Sequence, residues 1–134
     1  MAELSSYARY QEETVFTATP GELIVMLFSA AVKNIRLAID AVNEKRIEDA
    51  HNAIVKTQEI YFALCGALDE SIPIAQGTKK LYQYIIGGLT EANVKKDADI
   101  LRELLKLSGE LRDTWQEAEK HSRIAANRQA RGVV

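Results

Sequence analysis

Apolar residues recur at spacings of three and four along four separate segments of this 134-residue chain. That spacing places apolar side chains on one face of an α-helix, and only Pro20 and Pro73 are present to interrupt long helices. Short polar or Pro/Gly-containing turns separate the segments. We therefore expect an all-α fold, an antiparallel up-and-down four-helix bundle. The predicted helices span residues 20–42, 47–68, 78–94 and 98–121.

The start of the first helix is the sharpest local signal. Residues 17–22 read TATPGE, in which Thr19 can serve as N-cap, Pro20 suits the first helical position and Glu22 completes a capping box. The sixteen residues before this point are polar with scattered aromatic side chains. We expect three parts: a mobile or partly helical N-terminal segment (1–16), the helical bundle (17–121) and a basic C-terminal tail (122–134).

Charge and cysteine content narrow the function classes. The net charge is −2, without the basic excess that nucleic-acid binding needs. The single cysteine, Cys65, excludes an internal disulfide, and its apolar surroundings predict a buried, unreactive thiol. The longest apolar run is too short to span a bilayer, and no signal peptide is recognisable. We therefore expect a cytoplasmic protein without membrane insertion.

Enzymatic sites that helical bundles often hold do not fit this sequence. Glu48 and His51 have the Glu-x-x-His spacing of a di-iron ligand pair, but no second such pair and no further inward glutamates accompany them. His51 and His121 lie near helix ends, where a phosphorelay histidine is not expected. No nucleophile motif or phosphate-binding loop is present. We predict no enzymatic activity, no metal and no cofactor.

The first predicted helix carries more apolar surface than a four-helix bundle needs. Residues 23–32 read LIVMLFSAAV, which is apolar on every side of the helix. A helix of that kind must be covered on all sides. The additional cover could be the N-terminal segment, a fifth helix from the tail, or another protein.

The third predicted helix has a second apolar stripe, made of Tyr82, Ile86 and Leu89. It runs beside a main stripe of Leu81, Ile85, Gly88 and Ala92. Such a stripe allows two interpretations, tight packing inside the bundle or a groove for a partner helix. From the residues alone, the chain is a helical bundle with surplus apolar surface that suits a protein-binding module.

Four motifs in order resemble the flagellar secretion chaperone family, FliS, over residues 10–117. Residues 17–28, TATPGELIVMLF, resemble its Ser/Thr-Pro motif and the Met-Leu-Tyr/Phe helix that follows. LYQYI at 81–85 is similar to its Leu-Tyr-x-Tyr-Met, and residues 91–101 to its Ala-Asn-x-x-x-Asp run. Trp115 matches its late tryptophan. The chain differs from the family in Ser29-Ala30 and in lacking a Gly-Gly pair within 71–77.

This resemblance implies a bundle that binds the disordered C-terminal region of flagellin. The family prevents flagellin from polymerising in the cytosol and delivers it to the flagellar type III export apparatus. Export-gate or regulatory flagellar proteins are further candidate partners. The alternative is a structural or regulatory bundle in flagellar assembly whose extra apolar face binds a second copy of itself.

The predicted partner-binding residues combine the surplus apolar surface with the resemblance. Burial in the core is the competing interpretation for each of them, and Trp115 is assigned to the core. The predicted contacts are Tyr7, Tyr10, Leu23, Met26, Leu27, Tyr82, Ile86 and Leu89.

Overall fold

The computed structural model describes residues 17–132, which form four α-helices and, within that range, no strand. The helices are α1 (Pro20–Asn43), α2 (Ile47–Gly66), α3 (Ala75–Lys95) and α4 (Ala98–Gly132). This confirms the predicted all-α four-helix fold. The predicted N-terminal segment, residues 1–16, lies outside the described residues.

The four helices form an antiparallel bundle in which α1 and α3 lie on opposite sides. α1 packs extensively against α2 and α4, and α3 contacts the same two helices less extensively. Contacts at both ends of the bundle show the alternating direction. His51 near the start of α2 contacts Asn93 near the end of α3, and Thr19 before α1 contacts Glu119 late in α4.

Two helices begin at the caps that the sequence predicts. The Thr19 hydroxyl accepts a hydrogen bond from the Glu22 amide at 3.2 Å, and the Glu22 carboxylate accepts one from the Thr19 amide at 3.4 Å. Asp97 Oδ1 accepts from the amides of Asp99 and Ile100 at the start of α4. Each cap satisfies amides that the first turn of a helix leaves without a partner.

The end of α3 is a left-handed cap formed by a residue other than glycine. Lys96 has φ 49°, a conformation in which an L side chain crowds its own backbone. Its ammonium group donates to the Asn93 carbonyl at 2.7 Å, one of the carbonyls that the helix end leaves open. A cation there also faces the negative end of the helix dipole. These two contacts offset part of the backbone strain.

Three aromatic rings form the centre of the core. Tyr82 packs edge-on against Phe28 and Tyr61, with ring centroids 6.0 Å and 5.8 Å apart. The Tyr61 hydroxyl shares a buried hydrogen bond of 2.5 Å with the hydroxyl of Ser108 in α4. Within residues 17–132 no buried side-chain nitrogen or oxygen lacks a partner. Trp115 packs against this core, as predicted.

The last helix is longer than predicted. α4 continues to Gly132 and not to about His121, because no proline or glycine interrupts residues 110–131, where alanine and arginine favour a helix. Its 35 residues extend about 52 Å, whereas the 24 residues of α1 extend about 36 Å. All residues from 120 to 132 are exposed. Smaller differences are the end of α2 at Gly66 and the start of α3 at Ala75.

Candidate partner-binding surface

The start of α1 is only partly covered by the rest of the bundle. Leu23, Ile24, Val25, Met26 and Leu27 are all half-buried, and the buried residues of this helix begin at Phe28. α2 and α4 are the helices that α1 contacts most extensively. The surplus apolar surface expected from the sequence is therefore present at this point. Three of the predicted contact residues, Leu23, Met26 and Leu27, belong to it.

One side of this surface opens into a cleft between α1 and α4. The α1–α4 cleft has a volume of about 280 Å³. Val25 and Met26 supply its apolar wall, and the other walls are polar or charged. Protein-binding surfaces usually combine apolar and polar residues in this way. The complete lining is Glu22, Val25, Met26, Gln116, Glu119 and Arg123.

Contacts between the N-cap of α1 and α4 lie next to this cleft. The Thr19 hydroxyl donates to Glu119 Oε1 at 3.3 Å, so the same oxygen atom that caps α1 also reaches the facing helix. Gly21 leaves room for this carboxylate, because a Cβ at position 21 would clash with it. These contacts join α1 and α4 next to the cleft that Val25 and Met26 line.

Two predicted contact residues of α3 lie in the core. Tyr82 is 1% exposed and Leu89 is 0% exposed, so neither presents a surface to a partner in this structure. The buried line of α3 is Tyr82, Ile85, Leu89 and Ala92, whereas Leu81 and Gly88 are half-buried. The predicted main stripe is therefore wrong at Leu81 and Gly88, whose places in the core are taken by Tyr82 and Leu89. The physical reason is that Tyr82 completes the aromatic centre of the core, and this burial raises the pKa of its hydroxyl to about 12.

The third α3 residue, Ile86, lies at the seam between α2 and α3. Gln58 of α2 donates to the Ile86 carbonyl at 3.3 Å and to the Thr90 hydroxyl at 2.8 Å. Val55 and Phe62 lie three residues before and four residues after Gln58, on the same side of α2. Ile86 and Val55 are half-buried, and Phe62 is 61% exposed. This α2–α3 seam is a second apolar surface on the bundle.

The sequence analysis missed the most exposed aromatic residues within 17–132. Phe62 on α2 and Tyr84 on α3, which is 59% exposed, were not among the predicted contacts. The signal was available, since both lie off the apolar stripe of their helices. The predicted contacts Tyr7 and Tyr10 lie outside the described residues.

The single thiol of the chain lies near the end of α2. Cys65 is half-buried, and burial raises the pKa of its thiol, which lowers the fraction of reactive thiolate. Within residues 17–132, no group of three or more His, Cys, Asp or Glu side chains is placed to hold a metal ion. None of the helices α1 to α4 is long and apolar enough to cross a membrane.

Comparison with known proteins identifies the family. Residues 3–122 match the family described as Flagellar protein FliS. The chain belongs to this FliS family. It is similar to the flagellar secretion chaperone FliS of Bacillus subtilis, with 35% identity over 88% of this chain and 89% of the relative. The flagellar secretion chaperone FliS of Vibrio cholerae is 23% identical over 92% of this chain and 94% of its own.

A solved structure agrees with the fold. A crystal structure described as a flagellar chaperone from bacteria superimposes on this FliS family chain with a TM-score of 0.72. The alignment covers 89% of this chain and 98% of the other, at 16% sequence identity. At that identity the likeness establishes the helical fold, and the family assignment rests on the sequence matches.

Proposed function

We propose that this FliS family protein is a cytoplasmic export chaperone for flagellin. It binds the disordered C-terminal region of flagellin, prevents premature polymerisation and delivers flagellin to the flagellar type III export apparatus, without catalysing a reaction. The curated relatives are named flagellar secretion chaperones, which supports a secretion partner. The observation that carries the proposal is the row of five half-buried apolar residues at the start of α1.

A disordered partner needs a large apolar surface, because each residue that becomes ordered loses roughly 1–2 kcal/mol of backbone entropy. The start of α1 alone is too small for that. The α2–α3 seam supplies a second surface with Val55, Phe62 and Ile86. The start of α1 lies beside the end of α2 in the antiparallel bundle, and Phe62 lies near that end. A segment that wraps around the end of α2 would contact both surfaces.

The direct test is isothermal titration of the full chain with a peptide of roughly 40 residues from the C-terminus of flagellin of the same organism. We expect saturable one-to-one binding with a negative heat-capacity change, because apolar surface is buried. Absence of binding across the micromolar range would contradict the proposal. A dimer of the free protein at all concentrations by light scattering, together with no peptide binding, would support self-association in its place.

A matched pair of variants locates the site. Met26→Asp should weaken peptide binding by roughly thirtyfold, because losing the burial of a methionine costs about 2 kcal/mol. Leu37→Asp is the control, since Leu37 is a 49% exposed apolar residue further along the same helix. It should leave binding within about twofold of wild type. Leu27 is less suitable because it packs against the core, where a charge would also destabilise the bundle. Equal losses in both variants would exclude the start of α1 as the contact surface.

A further inference from the structure

A second cleft lies between α1 and α2, further along α1 than its apolar start. This α1–α2 cleft has a volume of about 440 Å³. Residues from the second half of α1 form one side, and residues at and just before the start of α2 form the other. The complete lining is Asn34, Leu37, Arg46, Asp49, Asn52, Ala53 and Lys56.

Asn34 brings a buried polar side chain to this cleft. It is 8% exposed, and its Nδ2 donates to the Ala30 carbonyl one turn earlier at 2.8 Å. Within residues 17–132 no group donates to its Oδ1. Every fully buried side-chain oxygen of that range has a partner, so this Oδ1 keeps some accessible surface, and Asn34 lines the cleft. The α1–α2 cleft therefore contains an open hydrogen-bond acceptor.

An open acceptor limits what can occupy the cleft. Covering the Asn34 side-chain oxygen without supplying a donor costs the desolvation free energy of that oxygen. An apolar surface or an ionised carboxylate supplies no donor. In a partner helix, the backbone N–H groups after the first turn are already bonded within that helix. An extended segment keeps its N–H groups free to donate, and the exposed Asn52 amide can pair with either an N–H or a C=O group of such a segment.

The other lining residues suit the side chains of an extended segment. Leu37, which is 49% exposed, and the half-buried Ala53 form an apolar wall. Arg46 already pairs with Asp49 at 2.9 Å, so these two lining charges offset each other. Lys56 is exposed and forms no salt bridge within residues 17–132. Its ammonium group is therefore available to a carboxylate of the occupant.

The spacing of these groups along α2 is close to that of an extended chain. Ala53 and Lys56 are separated by about 4.5 Å along the helix axis, at 1.5 Å per residue. Residues i and i+2 of an extended segment point to the same side and lie about 6.6 Å apart. The flexible lysine side chain covers the remaining difference.

We propose that the α1–α2 cleft binds an extended segment of a partner protein in which an acidic residue follows an apolar one two positions later. A backbone N–H of the segment donates to Oδ1 of Asn34. The apolar side chain packs on Leu37 and Ala53, and the carboxylate pairs with Lys56. This surface is separate from the apolar start of α1 that the proposed function uses.

The chemistry of the cleft favours this occupant over a polyanion and over a second copy of the chain. A nucleic acid or an anionic membrane needs several unpaired cations, and Lys56 is the only one among the lining residues. A second copy would have to supply an extended segment, and residues 17–132 contain no strand.

The test is an NMR titration of the isotope-labelled full chain with a designed peptide, acetyl-Thr-Leu-Thr-Asp-Thr-Thr-amide. Threonine favours the extended conformation, and leucine and aspartate have the proposed spacing. The first control peptide has asparagine in place of aspartate. Two further peptides carry two backbone N-methyl groups each, either on leucine and aspartate or on the threonines that follow them. The signals observed are the side-chain amides of Asn34 and Asn52.

We expect saturable shifts of both amide signals with a Kd below about 1 mM. Alternate N–H groups of an extended chain point to opposite edges, so only one of the two methylated peptides should lose affinity, at least about fivefold. The asparagine peptide should bind about threefold more weakly than the aspartate peptide, because an exposed ion pair contributes little.

Variants of the protein assign the contacts. Asn34→Leu should weaken binding of the aspartate peptide at least about fivefold. Lys56→Gln should weaken it about threefold and should make the aspartate and asparagine peptides bind equally. Lys106→Gln removes an exposed lysine of α4 and should leave the affinity within about 1.5-fold of wild type.

A purely structural role of Asn34 has a different signature. It would change the melting temperature of Asn34→Leu and leave the peptide affinity unchanged. Asn34→Ala repeats the measurement with a smaller side chain, in case leucine disturbs the contact between α1 and α2. Leu37→Asp separates the two surfaces, since it should weaken this peptide while leaving the flagellin peptide bound. The designed peptide alone decides the outcome, so the result does not depend on flagellin binding.

Four results would overturn the proposal. They are no shift of the Asn34 and Asn52 amides up to about 5 mM peptide, equal affinity for all four peptides, unchanged affinity in both Asn34 variants, and equally tight binding of pentaglutamate at the same signals. A dimer of the free protein that Asn34→Leu converts to a monomer in light scattering would assign the cleft to a second copy and would equally overturn it.

Discussion

The buried hydrogen bond between Tyr61 and Ser108 links α2 and α4, which lie diagonally across the core. Both side chains are 0% exposed. Within residues 17–132 their hydroxyls form the only hydrogen bond between α2 and α4, with a distance of 2.5 Å between the two oxygens. Ser108→Ala leaves the phenol without a partner in the core, which should destabilise the protein by about 1–3 kcal/mol. Tyr61→Phe should cost less, about 1 kcal/mol, because a serine hydroxyl can turn to a carbonyl of its own helix.

The double variant Y61F/S108A tests the coupling of the two groups. With both hydroxyls removed, no polar group is left unsatisfied, so the loss should be smaller than the sum of the single losses by roughly 1–2 kcal/mol. Urea unfolding followed by circular dichroism gives the four free energies, and Trp115 fluorescence provides a second probe of the same transition.

A matched control separates this coupling from the loss of any buried hydroxyl. Thr57 is also 0% exposed, but its hydroxyl donates to the Ala53 carbonyl within α2. Thr57→Val should therefore cost less than about 1 kcal/mol and should add to either single variant without coupling. Strictly additive losses for Tyr61 and Ser108 would refute the reasoning that the two hydroxyls stabilise the protein through their shared hydrogen bond.

Two further predictions follow from α3 and from the buried tyrosines. Gly87→Ala should raise the free energy of unfolding by about 1 kcal/mol, because a Cβ there meets nothing within 4 Å and alanine favours a helix. Gly88→Ala should not raise the free energy of unfolding, because its Cβ would lie 3.0 Å from a buried leucine of α4. Equal shifts of the melting temperature in both variants would contradict this difference. The pKa values of Tyr61 and Tyr82 are raised from 10.0 to about 12 by burial. Above pH 10 the unfolded chain loses these phenol protons while the folded protein keeps them. The stability that the two tyrosines contribute is therefore complete below pH 10 and falls by about 2–3 kcal/mol for each tyrosine as the pH rises towards 12. Urea midpoints measured across this range should fall steeply. A flat profile would contradict the burial of both hydroxyls.

The sequence predicts the helices well where local chemistry determines them. The capping box at Thr19 and Glu22 and the cap at Asp97 act over three residues, so the starts of α1 and α4 can be read without tertiary information. The end of α4 has no comparable signal. Lys120 to Arg131 lack both a stop residue and an apolar stripe, so the pattern fades although the helix continues.

The candidate site is only partly predictable for a different reason. In α1, the run from Leu23 to Leu27 is apolar on all sides, so the spacing of its residues does not decide which of them the bundle covers. In α3, two neighbouring stripes are both apolar, and only the position of Phe28 and Tyr61 on other helices decides that Tyr82 turns inward. That information is tertiary and is absent from the spacing of residues in α3.

The position of the open surface within the bundle has a consequence for binding. The buried core of α1 begins at Phe28, directly after the half-buried row, so the aromatic centre anchors the helix next to the surface that stays open. Contacts between Thr19 and Glu119 hold the other side. A partner can therefore lie on Leu23–Leu27 without displacing core residues, and its binding need not oppose folding of the bundle. Ile24 and Leu27 also pack against this core, so the row is exposed only in part.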